Sequence, residues 1–313
     1  MSGYDVIGDV HGHAVQLRGL LAKLGYTDVD GVWKHPSRTA VFVGDLIDRG
    51  DHQLEVVAIV RAMVEAGAAR IVLGNHEFNA VAWATPDPDH PGKFLRSHNE
   101  KNREQHHEFL EQVGEGSDRH RAIIDWFMTI PLWLDLDGLR VVHACWDPRS
   151  IARLDGLVSP SNTLTPELVV ASSRSGTVAF KAVETLLKGP EIPVDPHYLD
   201  KGGHERCCAR FRWWLPDATT LRAGAEIPPD TMTVDGEPYP MLSDEPIDPP
   251  TPPYSDALPV VFGHYWRSGP RVIDTPHATC VDYSVAKGGP LVAYRWSGEA
   301  ELDARNLVAF GAP

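Results

Sequence analysis

Gly44-Asp45-Leu46-Ile47-Asp48-Arg49-Gly50 follows directly on the apolar run Ala40-Val41-Phe42-Val43. A short β-branched and aromatic run bounded by glycine reads as a buried strand, and the ligand-like residues begin where it stops. Two carboxylates and a guanidinium this close would repel or desolvate one another in an ordinary core. They make sense if Asp45 faces metal ions while Arg49 faces an anion. Taken alone, a solvated turn with a local ion pair is the plainer reading.

The segment does not stand alone. Tyr4-Asp5-Val6-Ile7 runs into Gly8-Asp9-Val10-His11-Gly12, and Arg70-Ile71-Val72-Leu73 into Gly74-Asn75-His76-Glu77. Leu139-Arg140-Val141-Val142 runs into His143-Ala144, and Pro259-Val260-Val261-Phe262 into Gly263-His264. Each strand-like run delivers an Asp, Asn or His at its carboxyl end, the edge where open α/β sheets bind ligands. Chance supplies one or two such endings, hardly all of them.

These residues carry a resemblance. GDxHG at 8–12, GDxxDRG at 44–50 and GNHE at 74–77, then a strand-end His143 and Gly263-His264, stand in the order of the calcineurin-like metallophosphoesterases. Within them the chain resembles the phosphoprotein-phosphatase branch. The resemblance implies an α/β fold: an αββα sandwich of two mixed sheets flanked by helices, with a dinuclear metal site at the strand carboxyl ends. It implies that Asp9, His11 and Asp45 hold one ion, and that Asp45, Asn75, His143 and His264 hold the other, with Asp45 bridging. Oxygen and imidazole donors without thiolate suit Mn first, with Fe or Zn as alternatives.

Two such ions, about 3.5–4 Å apart, trap a water and aim it at phosphorus, so the expected chemistry is in-line attack by a metal-bridging hydroxide. His76 follows the ligand Asn75 without being one. Family members pair this histidine with the second aspartate of GDxxDRG, here Asp48, which suits a general acid for the leaving group. The alternative is that His76 only orients Asn75. Arg49 is expected to clamp phosphate oxygens, together with Asn75. A second arginine is expected from mid-chain: Arg210 or Arg212, with Arg174 and Arg267 behind them. Where the family commonly shows a glycine two residues after the strand-end histidine, this chain has Cys145, which reads as a buried thiol.

Three functions compete. The first is a phosphomonoesterase of serine/threonine-protein-phosphatase type. The second is a symmetrical bis(5'-nucleosyl)-tetraphosphate hydrolase, suggested by Gly263-His264-Tyr265-Trp266 and by Trp213-Trp214 as an adenine stack, although an aromatic pair is more often core. The third is a non-catalytic metal-binding scaffold, against which Asp48, Arg49 and His76 speak. The substrate partner is accordingly a phosphoprotein, a small phosphoester or a nucleotide.

Composition agrees. The chain has 313 residues, of which 42% are hydrophobic and 23% charged, enough for a sizeable core. A net charge of −14 argues against general nucleic-acid binding. Four cysteines without C-x-x-C spacing read as reduced thiols, and no run is long enough to span a bilayer. With no signal-like start, a soluble cytoplasmic protein without membrane partners is expected.

Because the ligand candidates run from Asp9 to His264, a single catalytic domain over 1–313 is expected. Leu17, Leu20, Leu21 and Leu24 mark a helix ended by Gly25, and another helix follows Gly50. Residues 85–121, rich in histidine, read as a solvated helical insertion in which His106 and His107 fall on different faces. Asp137-Gly138 predicts a type I′ hairpin delivering His143. Residues 145–258 read as an irregular substrate-specificity region, apart from a helix over 178–187, with a proline-rich surface loop over 227–259. Strands are expected at 278–283, 289–296 and 301–304.

Overall fold

The computed structural model describes residues 3–200, 203–228 and 230–311. The chain divides into two compact units, Met1–Lys188 with Ala257–Pro313, and Gly189–Asp256.

The first unit holds two mixed sheets. One runs in the order Leu307–Phe310, Leu291–Trp296, Gly3–Ile7, Arg38–Phe42, Ala69–Ile71. Its last three strands are mutually parallel, and Leu291–Trp296 is antiparallel to Gly3–Ile7. The other runs Ala278–Cys280, Val260–Phe262, Leu139–Val142, Trp133–Leu136, with the middle two parallel and the last pair a hairpin. One buried cluster joins Val6, Val41 and Val72 to Val141, Val261, Val281 and Leu139, so the two sheets face each other across a shared core. The helix Ala14–Leu24 packs on Leu291–Trp296 and Leu307–Phe310, and Gln53–Glu65 on Ala69–Ile71. The outcome is the layered α/β sandwich expected from the alternation of apolar runs and amphipathic helices.

Asp137-Gly138 does close a two-residue turn, with Leu136 opposite Leu139. Only Gly138 has positive φ (86°), whereas type I′ requires it at both positions, so that expectation is corrected. The last strand is Leu307–Phe310 rather than 301–304, because a 3₁₀ turn at Ala304–Asn306 precedes it.

The stretch 145–258 is more regular than its sequence suggests. Asp147 caps Pro148–Arg153, accepting from Arg149 N and Ser150 N, and Thr165 caps Pro166–Ser172, accepting from Leu168 N. Asp-Pro and Thr-Pro are cap-plus-N1 signatures that a count of prolines alone mistakes for loop. The second unit carries an antiparallel sheet in the order Ala225–Glu226, Glu205–Phe211, Glu191–Leu199, Met232–Thr233. Trp213 and Trp214 are buried at 0% and 1% exposure, which leaves neither ring face open to stack a base. Between 234 and 256 no helix or strand forms, as the proline density predicts.

The insertion is not solvated all round. In Glu100–Val113 the buried residues are His106, Phe109, Leu110 and Val113, spaced as one helical face, and His107 is exposed. No helix among the described residues is long and apolar enough to cross a membrane.

Candidate metal and phosphate site

Five strand ends of the first unit bring their polar residues together. Gly3–Ile7, Arg38–Phe42 and Ala69–Ile71 end before Asp9, Asp45 and Asn75, while Leu139–Val142 and Val260–Phe262 end before His143 and His264. Backbone strain is concentrated here. His11, Asp45, Asp48, Arg49 and His264 all have positive φ, from 45° to 81°, a conformation that side-chain-bearing residues adopt only where the surroundings enforce it. The loops also approach closely. A Cβ on Gly263 would lie 2.1 Å from Asp9 Oδ1, and one on Gly74 would lie 2.3 Å from both Asp45 N and Oδ1.

The donor set points inward. His11 Nδ1 donates to Ile47 O at 2.9 Å and His143 Nδ1 to Val43 O at 2.7 Å, which leaves each Nε2 facing the site. Asp45 Oδ2 lies 3.7 Å from His11 Nε2, 3.9 Å from His76 Nε2 and 3.4 Å from His143 Nε2. These spacings are long for direct bonds. They suit atoms that share a cation, since ligand bonds of about 2.0–2.2 Å separate neighbouring donors by more than a hydrogen bond. Two groups have ligand atoms within 4.8 Å of one another: His11, Asp45 and His76, and Asp45, His143 and His264. Asp45 is common to both, so the residues present fit a pair of ions.

Asp9 and Asn75 stand beside these groups. The Asp9 carboxylate accepts from His264 N at 3.3 and 3.2 Å, and Asn75 Oδ1 lies 3.1 Å from His143 Nε2. Of the expected ligands, the structure therefore brings His11, Asp45, His143 and His264 into the two groups, with Asp9 and Asn75 adjoining and His76 added to the first.

The electrostatics separate the histidines. Burial, then the neighbouring His76, pushes His11 down to about 4, so it is neutral and ready to ligate. For His76 burial opposes protonation, but Asp45 and Asp48 outweigh it and the pKa rises. The two rings sit edge to face with centroids 4.8 Å apart, yet they are driven in opposite directions. His143 is pushed up to about 10: burial opposes this, and Asp45 overrides it. Burial, then the Asp282 carboxylate, holds Asp9 well above the usual range.

The proton that Asp45 holds on His143 is the one a cation would replace. Ligation needs the deprotonated forms, so affinity should rise with pH across the neutral range and ion uptake should release protons. Calorimetric titration with Mn in buffers of different ionisation enthalpy measures that release. Uptake with no proton change would contradict this electrostatic account.

Asp48 and His76 form the expected pair, with Nδ1 donating to Oδ2 at 2.5 Å. Arg49 is exposed and bears on His76, and no carboxylate pairs with it among the described residues. Arg174 and Arg267 are not available in that way, because Arg174 is held by Asp87 and Asp89 and Arg267 by Asp274. Arg210 and Arg212 belong to the second unit, on and just after Glu205–Phe211. Cys145 is fully buried, and burial pushes its thiol up, away from reactivity.

Two residues gain roles that the sequence reading does not assign. Glu77, with no exposed surface, accepts from Asp45 N and Leu46 N at 2.8 Å each and from Gly74 N at 3.0 Å. It locks the loop carrying Asp45 to the loop carrying Asn75. The buried Asp282 accepts from Trp266 N at 3.1 Å and Ser284 N at 2.8 Å, fixing the turn after His264.

Comparison with known proteins agrees with this geometry. The calcineurin-like phosphoesterase family model matches residues 4–167. The chain is 50% identical over 74 residues to the asymmetrical bis(5'-nucleosyl)-tetraphosphatase PrpE of Halalkalibacterium halodurans, 23% of this chain and 30% of that protein. It is 30% identical over 141 residues to the protein of the same name from Oceanobacillus iheyensis, 45% of this chain and 54% of that one. The matched stretches thus span 30% to 54% of those relatives. Among solved structures, a Saccharomyces cerevisiae serine/threonine phosphatase with similarity to human PP5 superposes with TM-score 0.53 at 16% identity, covering 99% of this chain and 80% of that one. A cold-active protein-tyrosine phosphatase of a Shewanella species gives 0.52 at 18% identity with the same coverage. At these identities the two structures share the fold.

Proposed function

The chain belongs to the calcineurin-like phosphoesterase family, and from that premise we propose that it hydrolyses phosphoesters with the help of two bound metal ions. Asp9, His11 and Asp45 would hold one ion and Asp45, Asn75, His143 and His264 the other. When bound, the ions supply Lewis acidity toward phosphoryl oxygens and a water acidic enough to attack phosphorus. Manganese is our first assignment, with iron or zinc compatible with the same donors.

The protein's own groups do the rest. Arg49 binds the non-bridging phosphate oxygens, which its exposed guanidinium, with no carboxylate partner among the described residues, can reach in the fork geometry that suits them. Asn75, at the first turn of Asn75–Ala84, adds a polar contact to the anion. His76 gives its Nε2 proton to the leaving oxygen, while Asp48 keeps the Nδ1 proton in place. The observation that most supports catalysis over a metal-binding scaffold is the Asp48–His76 pair beside Asp45, since a scaffold has no use for a proton-loaded imidazole there.

The first reading of the substrate is a phosphomonoester of serine/threonine-phosphatase type. The second is a dinucleoside tetraphosphate, favoured by the name of the relatives that match 23% to 45% of this chain. Those relatives are named asymmetrical, whereas the sequence suggests symmetrical cleavage. A manganese-supplemented assay on a phosphoserine peptide, diadenosine tetraphosphate, a 3′-phosphorylated oligonucleotide and an aryl phosphate decides between them. ATP with AMP would mark asymmetrical cleavage and two ADP symmetrical cleavage. Full activity surviving chelation would overturn the metal-dependent reading.

A further inference from the structure

His106 is a buried titratable group for which the mechanism above has no use. It sits on Glu100–Val113 at 3% exposure, packed against the Trp83 and Phe109 rings with centroids 5.9 and 5.0 Å away. Its Nε2 is buried and bonded to nothing among the described residues. Its Nδ1 donates to Asp48 Oδ1 at 2.7 Å. A histidine kept only for packing would be better replaced by leucine, because an unsatisfied buried ring nitrogen costs stability. This one retains a single polar bond, and that bond ends on the carboxylate that grips His76.

Asp48 is thereby held from three sides: Oδ2 by His76, Oδ1 by His106, and its backbone N by Gln53 Oε1 at 2.7 Å. We infer that His106 is a positioning residue of the insertion, fixing the Asp48 carboxylate so that its other oxygen holds His76 in the proton-donating orientation. The inference rests on the phosphoesterase reading and deepens it. When the ester P–O bond breaks and the leaving oxygen takes the Nε2 proton, Asp48 must keep the Nδ1 proton where it is. Without His106, Oδ1 has no side-chain donor among the described residues, and the carboxylate can turn away from His76.

The test uses the manganese-loaded full chain and a series of substituted phenyl phosphates with graded leaving groups. H106L should lose roughly 10- to 100-fold in kcat on unsubstituted phenyl phosphate, the usual effect of removing a supporting partner, and little on the most activated ester. Its dependence on leaving-group pKa should therefore steepen. H106N, whose amide places a donor where Nδ1 stood, should recover most of the shallow dependence; H106Q, whose donor sits further out, should not. The H76N/H106L double variant should be no slower than H76N.

Equal losses on every ester, or losses that add in the double variant, would reduce His106 to a packing role and overturn the inference. So would unchanged slopes in H106L. If H106L fails to fold, equal slopes in H106N and H106Q overturn it. A wild-type protein inert on every ester would instead bring down the phosphoesterase reading on which the inference rests.

Discussion

His76→Asn should keep its metal ions and lose about 10²–10⁴ in kcat on esters with poor leaving groups. Ion binding survives because Asp9, His11 and Asp45, not the His76 ring, are assigned to the first ion, and the contact from position 76 to Asp45 Oδ1, at 3.0 Å, comes from the backbone N–H, which the substitution leaves in place. The loss falls on proton donation. The wild-type imidazole is driven toward its charged form by Asp45 and Asp48 despite burial, and Asn has no acidic proton to give. An activated aryl phosphate, whose leaving group departs without protonation, should suffer much less. Steady-state rates on a phosphoserine peptide and on 4-nitrophenyl phosphate check this. Equal losses on both would show that His76 orients the site rather than protonating the leaving group.

Much of this arrangement is legible in the sequence because it is written as short local patterns. An apolar run followed by Gly-Asp or Gly-His, or running straight into a histidine as Val141-Val142 does, announces both a strand and its functional end, so Asp9, Asp45, His143 and His264 can be found before any fold is known. His106 and Glu77 are harder for different reasons. His106 reaches the site from a helix 58 residues after Asp48, and proximity over that distance is a property of the fold. Its alignment with Phe109, Leu110 and Val113 does mark it as buried, a signal masked by the many polar neighbours in that stretch. Glu77 lies within GNHE, but its partners are backbone N–H groups, which leave no trace in side-chain identity. The second unit is illegible for another reason. Its strands carry prolines, such as Pro193 and Pro196 within Glu191–Leu199, where proline density argues for loop.

Glu77→Gln carries the second large effect. Both carboxylate oxygens of Glu77 accept main-chain N–H groups, Oε2 from Asp45 and Gly74 and Oε1 from Leu46. Burial, then Asp45, pushes Glu77 up to about 7, against the pull of these donors. An amide can present only one oxygen. Its NH₂ must then face an N–H with no acceptor between them, at a cost of roughly 3 kcal/mol. The strain falls on the loop that holds Asp45 at a φ of 50°, so the shared ligand moves. Ion binding should weaken by roughly 10- to 100-fold, as for other residues that orient metal ligands. Metal titration with a parallel thermal melt checks the loss. Unchanged affinity would mean that Glu77 serves the fold alone.

The account turns on Asp45 being shared between two ions. The most direct measurement is the number of manganese ions retained per chain by the wild-type protein and by Asp45→Asn after gel filtration, counted by elemental analysis. Two ions in the wild type, falling to one or none in the variant, is the predicted result. A wild type that holds a single ion, or a variant that still holds two, would contradict it.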